Sequence, residues 1–87
     1  MKLELLYFES CPFCQKVLMF IRNKHNIILK DTRMNKVYKE ELLKATGKLQ
    51  VPCLLVDGKP LLESNDIVEF LDNNRIKWER RTLNAEL

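Results

Sequence analysis

Two spacings of apolar residues alternate along the chain, and they separate short strands from helices. Leu3–Phe8 is a brief apolar run with two aromatic residues, which is typical of a buried strand. After a polar turn the spacing changes to three and four residues, which predicts an amphipathic helix. Pro12 falls at the first helical position, where its missing N–H costs nothing. The apolar positions of this helix are Phe13, Cys14, Val17, Leu18, Phe20 and Ile21.

The rest of the pattern predicts five further elements. Asp57-Gly58 between two apolar runs is a strong hairpin signal, and Ser64 is a suitable N-cap for the last helix. The order is βαβαββα, which predicts an α/β fold with a four-stranded mixed sheet flanked by helices. The predicted elements after the first helix are a strand at 26–31, a helix at 36–46 ending at Gly47, strands at 53–56 and 59–62, and a helix from Ser64.

Composition narrows the class of protein. The 87 residues are 46% hydrophobic and carry a net charge of +3, with basic and acidic residues too evenly mixed to indicate nucleic-acid binding. No apolar run approaches the ~20 residues of a membrane span, and Met1–Glu4 lacks the apolar stretch of a signal peptide, so we expect a cytoplasmic protein. Residues 1–74 form one predicted domain, and 75–87 form a basic tail, helical or frayed, that holds +2 of the net charge.

The three cysteines indicate thiol chemistry. An odd number, without an export signal, does not fit the disulfide framework of a small secreted protein. Cys11 falls at the N-cap of the first helix, where free amides, expected at Phe13 and Cys14, and the helix dipole favour a thiolate. Cys14 lies one turn inside the helix and is shielded. We therefore expect Cys11 to attack disulfides and Cys14 to resolve the product.

Other interpretations of these cysteines stay open. Cys-x-x-Cys is also half of a zinc site, for which Cys53 and His25 would have to supply the other ligands, and the pair could simply be inert. His25 itself is more simply an exposed residue at a helix end. Cys53 is expected to be a small buried hydrophobic residue that packs beside the ligand groove, rather than a third redox thiol.

Two further segments could contact a ligand. Pro52 cannot donate to a sheet, so it belongs at the start of a strand. A cis bond would turn the Val51 backbone outward to pair with an extended peptide, although generic frequencies favour trans. The free amides after Ser64 could hold a carboxylate, and Glu63 could meet an amine of the same ligand, or the segment is an ordinary capped helix.

Together these segments resemble a glutaredoxin, within the thioredoxin-like fold. The resemblance runs from Leu3 to about Leu71 and is most specific at residues 6–14, 50–52 and 57–68. The last stretch is also similar to the N-terminal domain of glutathione S-transferases. No transferase-type helical domain follows in this sequence, so we expect the thiol domain to stand alone.

The resemblance implies a glutathione site. Val51-Pro52 would be cis and would pair with the cysteinyl backbone of glutathione, and Glu63, Ser64 and Asn65 would take its γ-glutamyl group. Phe13 stands where tyrosine is more usual and leaves an apolar platform beside the sulfur. Leu62-Glu63 replaces the Gly-Gly step of many glutaredoxins, which is closer to the transferase pattern.

The implied activity is glutathione-dependent thiol–disulfide oxidoreduction, with Cys11 as nucleophile. Glutathione would be the co-substrate, glutathionylated or disulfide-bonded proteins the partners, and a monomer without metal, nucleic acid or membrane contact is expected. Phe8 stands where many glutaredoxins have a lysine, which removes one expected cation. The alternatives are a thioredoxin-type dithiol reductant and a module that binds an iron–sulfur cluster with glutathione; Pro12 disfavours the latter.

Overall fold

The computed structural model describes residues 1–22 and 26–75 and confirms the order of elements predicted from the sequence. His25, Trp78 and the tail after Arg75 lie outside the described residues. None of the described helices is long and apolar enough to cross a bilayer. The elements are β1 (Leu3–Tyr7), α1 (Pro12–Ile21), β2 (Ile27–Asp31), α2 (Lys36–Thr46), β3 (Cys53–Val56), β4 (Lys59–Leu61) and α3 (Ser64–Asn73).

The four strands form one mixed sheet in the order β2-β1-β3-β4. β1 pairs with β2 in parallel, with Leu5 opposite Leu29, and pairs with β3 antiparallel, with Leu5 opposite Leu54. β3 and β4 form the predicted hairpin. Asp57 and Gly58 at its tip have φ values of 51° and 89°, and positive φ at both central residues is what a tight two-residue hairpin requires.

Helices cover both faces of the sheet, so β1 and β3 are buried on each side. Because side chains alternate along a strand, Leu3 and Leu5 face α1 and α3, whereas Leu6 faces α2. The core on the α1/α3 side is Leu3, Leu5, Val17, Ile21, Ile27, Leu54, Ile67 and Leu71. The smaller core under α2 is Leu6, Leu42, Cys53 and Leu55.

The apolar face of α1 is narrower than its sequence pattern predicts. Cys14, Val17 and Ile21 are buried, but Phe13 is 63% exposed. Phe13 follows Pro12 at the very start of the helix, beyond the edge of the core. The spacing of apolar residues thus identified the helix correctly and placed Phe13 wrongly.

The start of α3 corrects the prediction for Ser64. The helix begins at Ser64, and Glu63 occupies the N-cap position without a side-chain hydrogen bond to the helix. Asp66 lies in the first turn, as predicted, where its charge is favourable to the helix dipole. The Ser64 hydroxyl is therefore not used for capping.

A partly buried cluster of one cation and two carboxylates joins β2 to β1 and α2. Lys30 on β2 contacts the carboxylate of Glu4 on β1 and, at 2.9 Å, that of Glu41 on α2. Burial alone would lower the pKa of Lys30, but the hydrogen bonds to both carboxylates outweigh burial and raise it. Lys2 lies 3.8 Å from Glu4 as a second, exposed cation.

Candidate thiol site

Cys11 occupies the turn that joins β1 to α1. Its N–H donates to the carbonyl of Phe8 at 3.3 Å, and its own carbonyl accepts the N–H of Gln15 at 2.9 Å. The residue has extended dihedral angles and is the N-cap of α1, with Pro12 at the first helical position. The cap is made by sulfur: the N–H of Cys14 donates to Cys11 Sγ at 3.4 Å.

This contact places the Cys11 sulfur at the positive end of a ten-residue helix. A free N–H and the helix dipole both favour negative charge at this point. The sequence predicted donors at Phe13 and Cys14, and among the described residues only the Cys14 amide makes the bond. Cys11 is buried, with 7% of the residue surface exposed.

Cys14 has a different environment. Its side chain is fully buried, and burial raises the pKa of the Cys14 thiol to about 12, with further increases from the hydrogen bond and charge of Cys11. A hydrogen bond with the Phe8 backbone lowers this pKa only in part. Cys14 therefore remains a thiol at neutral pH, whereas Cys11 has the position of a nucleophile.

Beside this turn a groove of about 340 Å³ brings together all the non-cysteine site residues predicted from the sequence. Val51-Pro52 at its edge is cis, as the family resemblance implied and contrary to the expectation from generic frequencies. Gln50 and Leu62 also line the groove and were not predicted as site residues. The full lining is Phe13, Gln50, Val51, Pro52, Leu62, Glu63, Ser64 and Asn65.

The polar side chains of the groove differ in whether they have hydrogen-bond partners. Asn65 accepts a hydrogen bond from the Lys16 ammonium group, and Glu63 accepts one from Gln50 at 3.5 Å. The Ser64 side chain has no hydrogen-bond partner within the described part of the chain, although only 9% of the residue is exposed. A buried hydroxyl without a partner is unfavourable in the free protein and available to a ligand.

The third cysteine, Cys53, belongs to the core of the protein. Cys53 packs in the core under α2 and does not line the groove, although it follows Pro52 directly. Burial raises the pKa of its thiol to about 11, which a hydrogen bond with the Leu61 backbone lowers only in part. The structure thus confirms Cys53 as a buried hydrophobic residue. Within residues 1–22 and 26–75, no group of three or more His, Cys, Asp or Glu side chains could hold a metal ion.

A cation does lie near position 8, although Phe8 replaces the usual lysine. The Arg33 guanidinium stacks on the Phe8 ring at 4.0 Å from its centroid and donates to Ser10 Oγ at 3.1 Å. Arg33 follows β2 and is distant in sequence from the cysteines, so no local motif indicated this contact. The turn before Cys11 therefore has a positive group on one side.

The sequence comparison decides the family. The family model of the glutathione S-transferase N-terminal domain matches residues 5–76, most of the chain. The chain belongs to this family. Prostaglandin E synthase 2 of Danio rerio is 31% identical over 68 residues, which are 78% of this chain and 18% of that protein. The chain thus spans less than a fifth of that curated relative.

Solved structures from two groups of proteins share the fold of this family member. An epsilon-class glutathione S-transferase from the housefly, Musca domestica, matches with a TM-score of 0.67 and 26% identity, covering 87% of this chain and 36% of that one. A glutaredoxin from Archaeoglobus fulgidus matches with a TM-score of 0.65 and 18% identity, covering 80% and 85% of the two chains. Both groups share the thioredoxin-like fold of this chain, and the transferase structure comes from proteins whose N-terminal domain family matches the chain.

Proposed function

We propose that the protein is a glutathione-dependent thiol–disulfide oxidoreductase that reduces glutathione mixed disulfides through Cys11. The observation that supports this most is the unequal pair of cysteines: the Cys11 sulfur accepts the Cys14 N–H at the start of α1, while the buried Cys14 thiol has a pKa of about 12. The Cys11 sulfur lies at the positive end of the helix, and the buried Cys14 thiol stays protonated at neutral pH. Such asymmetry suits attack by a single nucleophile.

The reaction has two thiol–disulfide exchanges. The Cys11 thiolate attacks the glutathione sulfur of a mixed disulfide, the S–S bond to the protein substrate breaks, and the departing thiolate takes a proton from water. Cys11 then holds glutathione as a mixed disulfide. A second glutathione thiolate attacks that glutathione sulfur, which releases glutathione disulfide and restores the Cys11 thiolate.

In this proposal the groove beside Phe13 binds the glutathione part of the substrate. The backbone of Val51 would pair with the cysteinyl part of glutathione, and the γ-glutamyl end would lie against Ser64 and Asn65. The unpartnered Ser64 hydroxyl supports this, because a ligand carboxylate would supply its missing hydrogen bond. Glu63 offers a charge of opposite sign for the α-amino group, and Phe13 an apolar wall.

Single substitutions at the two thiols test the mechanism. Cys11→Ser should abolish glutathione-dependent reduction of a glutathionylated peptide, whereas Cys14→Ser should retain much of it, because the monothiol route uses one nucleophile. A thioredoxin-type reductant of protein dithiols would require both cysteines. Loss of activity in Cys14→Ser, or full activity in Cys11→Ser, would contradict the proposal.

Transferase chemistry is the second candidate, and the family match supports it. A transferase would hold the glutathione thiolate for attack on an electrophile, and no disulfide with Cys11 would form. Conjugation of glutathione to an aryl halide measures this activity directly. Conjugation that is faster than mixed-disulfide reduction, and that survives Cys11→Ser, would favour the transferase.

A further inference from the structure

One hydrogen bond joins α1 to the first turn of α3 at the groove. The ammonium group of Lys16, on α1, donates to Asn65 Oδ1, 49 residues away in sequence. Lys16 lies three residues after Phe13 and therefore shares its side of α1, and Phe13 and Asn65 both line the groove. Lys16 itself does not line the groove. Its contact with the groove is therefore made through Asn65.

The chemistry of this contact fixes which end of the Asn65 amide faces Lys16. An ammonium group only donates hydrogen bonds, so it pairs with the amide oxygen and not with the amide N–H2 group. The Asn65 N–H2 group has no hydrogen-bond partner within the part of the chain that the structure describes. Because Asn65 lines the groove, these two N–H donors are available to a ligand there.

The groove consequently has opposite polarity at two nearby positions. Glu63 is negative and accepts a hydrogen bond from Gln50, whereas Asn65 keeps free donors beside the positive charge of Lys16. Lys16 forms no ion pair with any described residue. Asp66, in the same turn, carries a negative charge that disfavours an anion, so the charge of Lys16 is needed to offset it. The γ-glutamyl end of glutathione has an ammonium group and a carboxylate on one carbon, and this polarity matches it.

An asparagine amide that nothing holds can turn over and exchange its donor and acceptor ends, because the terminal torsion has two similar minima. Contact with Lys16 makes the two ends unequal. We propose that Lys16 is a positioning residue, which holds the Asn65 amide as a donor and makes the groove selective for the free α-carboxylate of a γ-glutamyl ligand. The inference rests on the proposed function and names the group that the groove distinguishes.

Binding of two unreactive ligands is the first test. The probes are S-methylglutathione and its analogue in which the α-carboxylate of the γ-glutamyl residue is a carboxamide, both titrated by calorimetry. The wild type should bind the carboxylate form about tenfold more tightly. Lys16→Met should lower this preference about threefold, because the freed amide can also present its oxygen to the carboxamide. Lys16→Arg keeps a cation that only donates and should keep the preference. Lys44→Met, which removes a charge from α2, should keep it as well. An unchanged preference in Lys16→Met would overturn the inference.

A second substitution separates an effect through Asn65 from a direct effect of charge. In the Asn65→Ala background, Lys16→Met should change the affinity for S-methylglutathione by less than about 1.5-fold, because the group it positions is gone. An equal loss in both backgrounds would show that the ammonium group acts on the ligand directly, and the inference would be wrong. In NMR spectra of the free protein, the Asn65 N–H2 resonances should move in Lys16→Met. Unmoved resonances would also contradict the inference.

Turnover distinguishes a failure of this inference from a failure of the proposed function. With a glutathionylated peptide, Lys16→Met should raise KM about threefold and leave kcat unchanged, because the contact acts on binding of the γ-glutamyl end and not on the exchanging sulfur atoms. If ligand preference depends on Lys16 and no peptide is reduced, only the proposed function fails. If Cys11 reduces the peptide and Lys16→Met keeps the wild-type preference, only the inference about Lys16 fails.

Discussion

The unpartnered hydroxyl of Ser64 leads to a prediction in which stability and affinity change in opposite directions. A buried polar group without a hydrogen bond costs about 1–3 kcal/mol, and the 9% exposure of Ser64 allows some hydration from the groove. Ser64→Ala removes that cost, so the free protein should become more stable by up to about 1 kcal/mol. If glutathione supplies the missing bond, the loss of that bond in Ser64→Ala should weaken binding by about 0.5–1.5 kcal/mol, which is about two- to thirteenfold in affinity.

The assay is urea unfolding of wild type and Ser64→Ala, with and without S-methylglutathione, which cannot exchange with thiols. Alone, the variant should unfold at equal or higher urea; with the ligand, it should gain less stability than wild type. Thr32→Val is the matched control, because Thr32 is also buried but its hydroxyl donates to the Tyr7 carbonyl at 3.1 Å. Thr32→Val should lose about 1 kcal/mol and leave ligand binding unchanged. A destabilised Ser64→Ala that binds the ligand normally would refute the assignment of Ser64.

Three further predictions concern stability. Lys30→Met leaves the Glu4 carboxylate, 8% exposed, with the exposed Lys2 at 3.8 Å as its remaining cation among the described residues, so the free energy of unfolding should fall by about 2 kcal/mol. Glu41→Gln, at a carboxylate 33% exposed, should cost less than about 1 kcal/mol, and equal losses would contradict the account. Burial raises the pKa of the Cys53 thiol from 9.0 to about 11. The unfolded chain therefore loses this proton at lower pH than the folded protein, so the stability that the buried thiol contributes is complete below pH 9 and is lost as pH rises toward 11. Urea midpoints measured across this range should decline, and they should decline less steeply in Cys53→Ala. Gly47→Ala should lower the free energy of unfolding, measured in urea, by about 1 kcal/mol. The loss comes from the backbone, since φ at Gly47 is +79°, and not from a steric clash, since no atom lies within 4 Å of the added Cβ. An unchanged free energy of unfolding would show that the helix end rearranges.

Features encoded by neighbouring residues were predictable from the sequence. The hairpin at Asp57-Gly58 needs positive φ at two adjacent positions, and that residue pair is favoured there. Likewise, Pro12 after Cys11 identified the start of α1 because proline is tolerated only in the first turn. These two signals located the thiol site and the order of strands around it.

Features that depend on distant residues were not predictable in this way. Arg33 meets Phe8 only because parallel pairing of β1 and β2 brings the ends of both strands to the same edge of the sheet. A serine can cap a helix or occupy its first position, so the residue type alone does not distinguish the two. Ser64 occupies the first position and is buried, which depends on the packing of neighbouring elements. Phe13 has the spacing of a core residue but lies beyond the core at the helix end.

The most direct test of the central claim is to identify the cysteine that carries glutathione. Cys14→Ser should be incubated with glutathione disulfide and mapped by peptide mass spectrometry, with Cys11→Ser treated in parallel. The account predicts one glutathione on Cys11 of the first variant, none on the buried Cys53 of either variant, and no rapid modification of Cys14 in the second. Glutathione on Cys14 or Cys53 at a comparable rate, or an unmodified Cys11, would contradict the account.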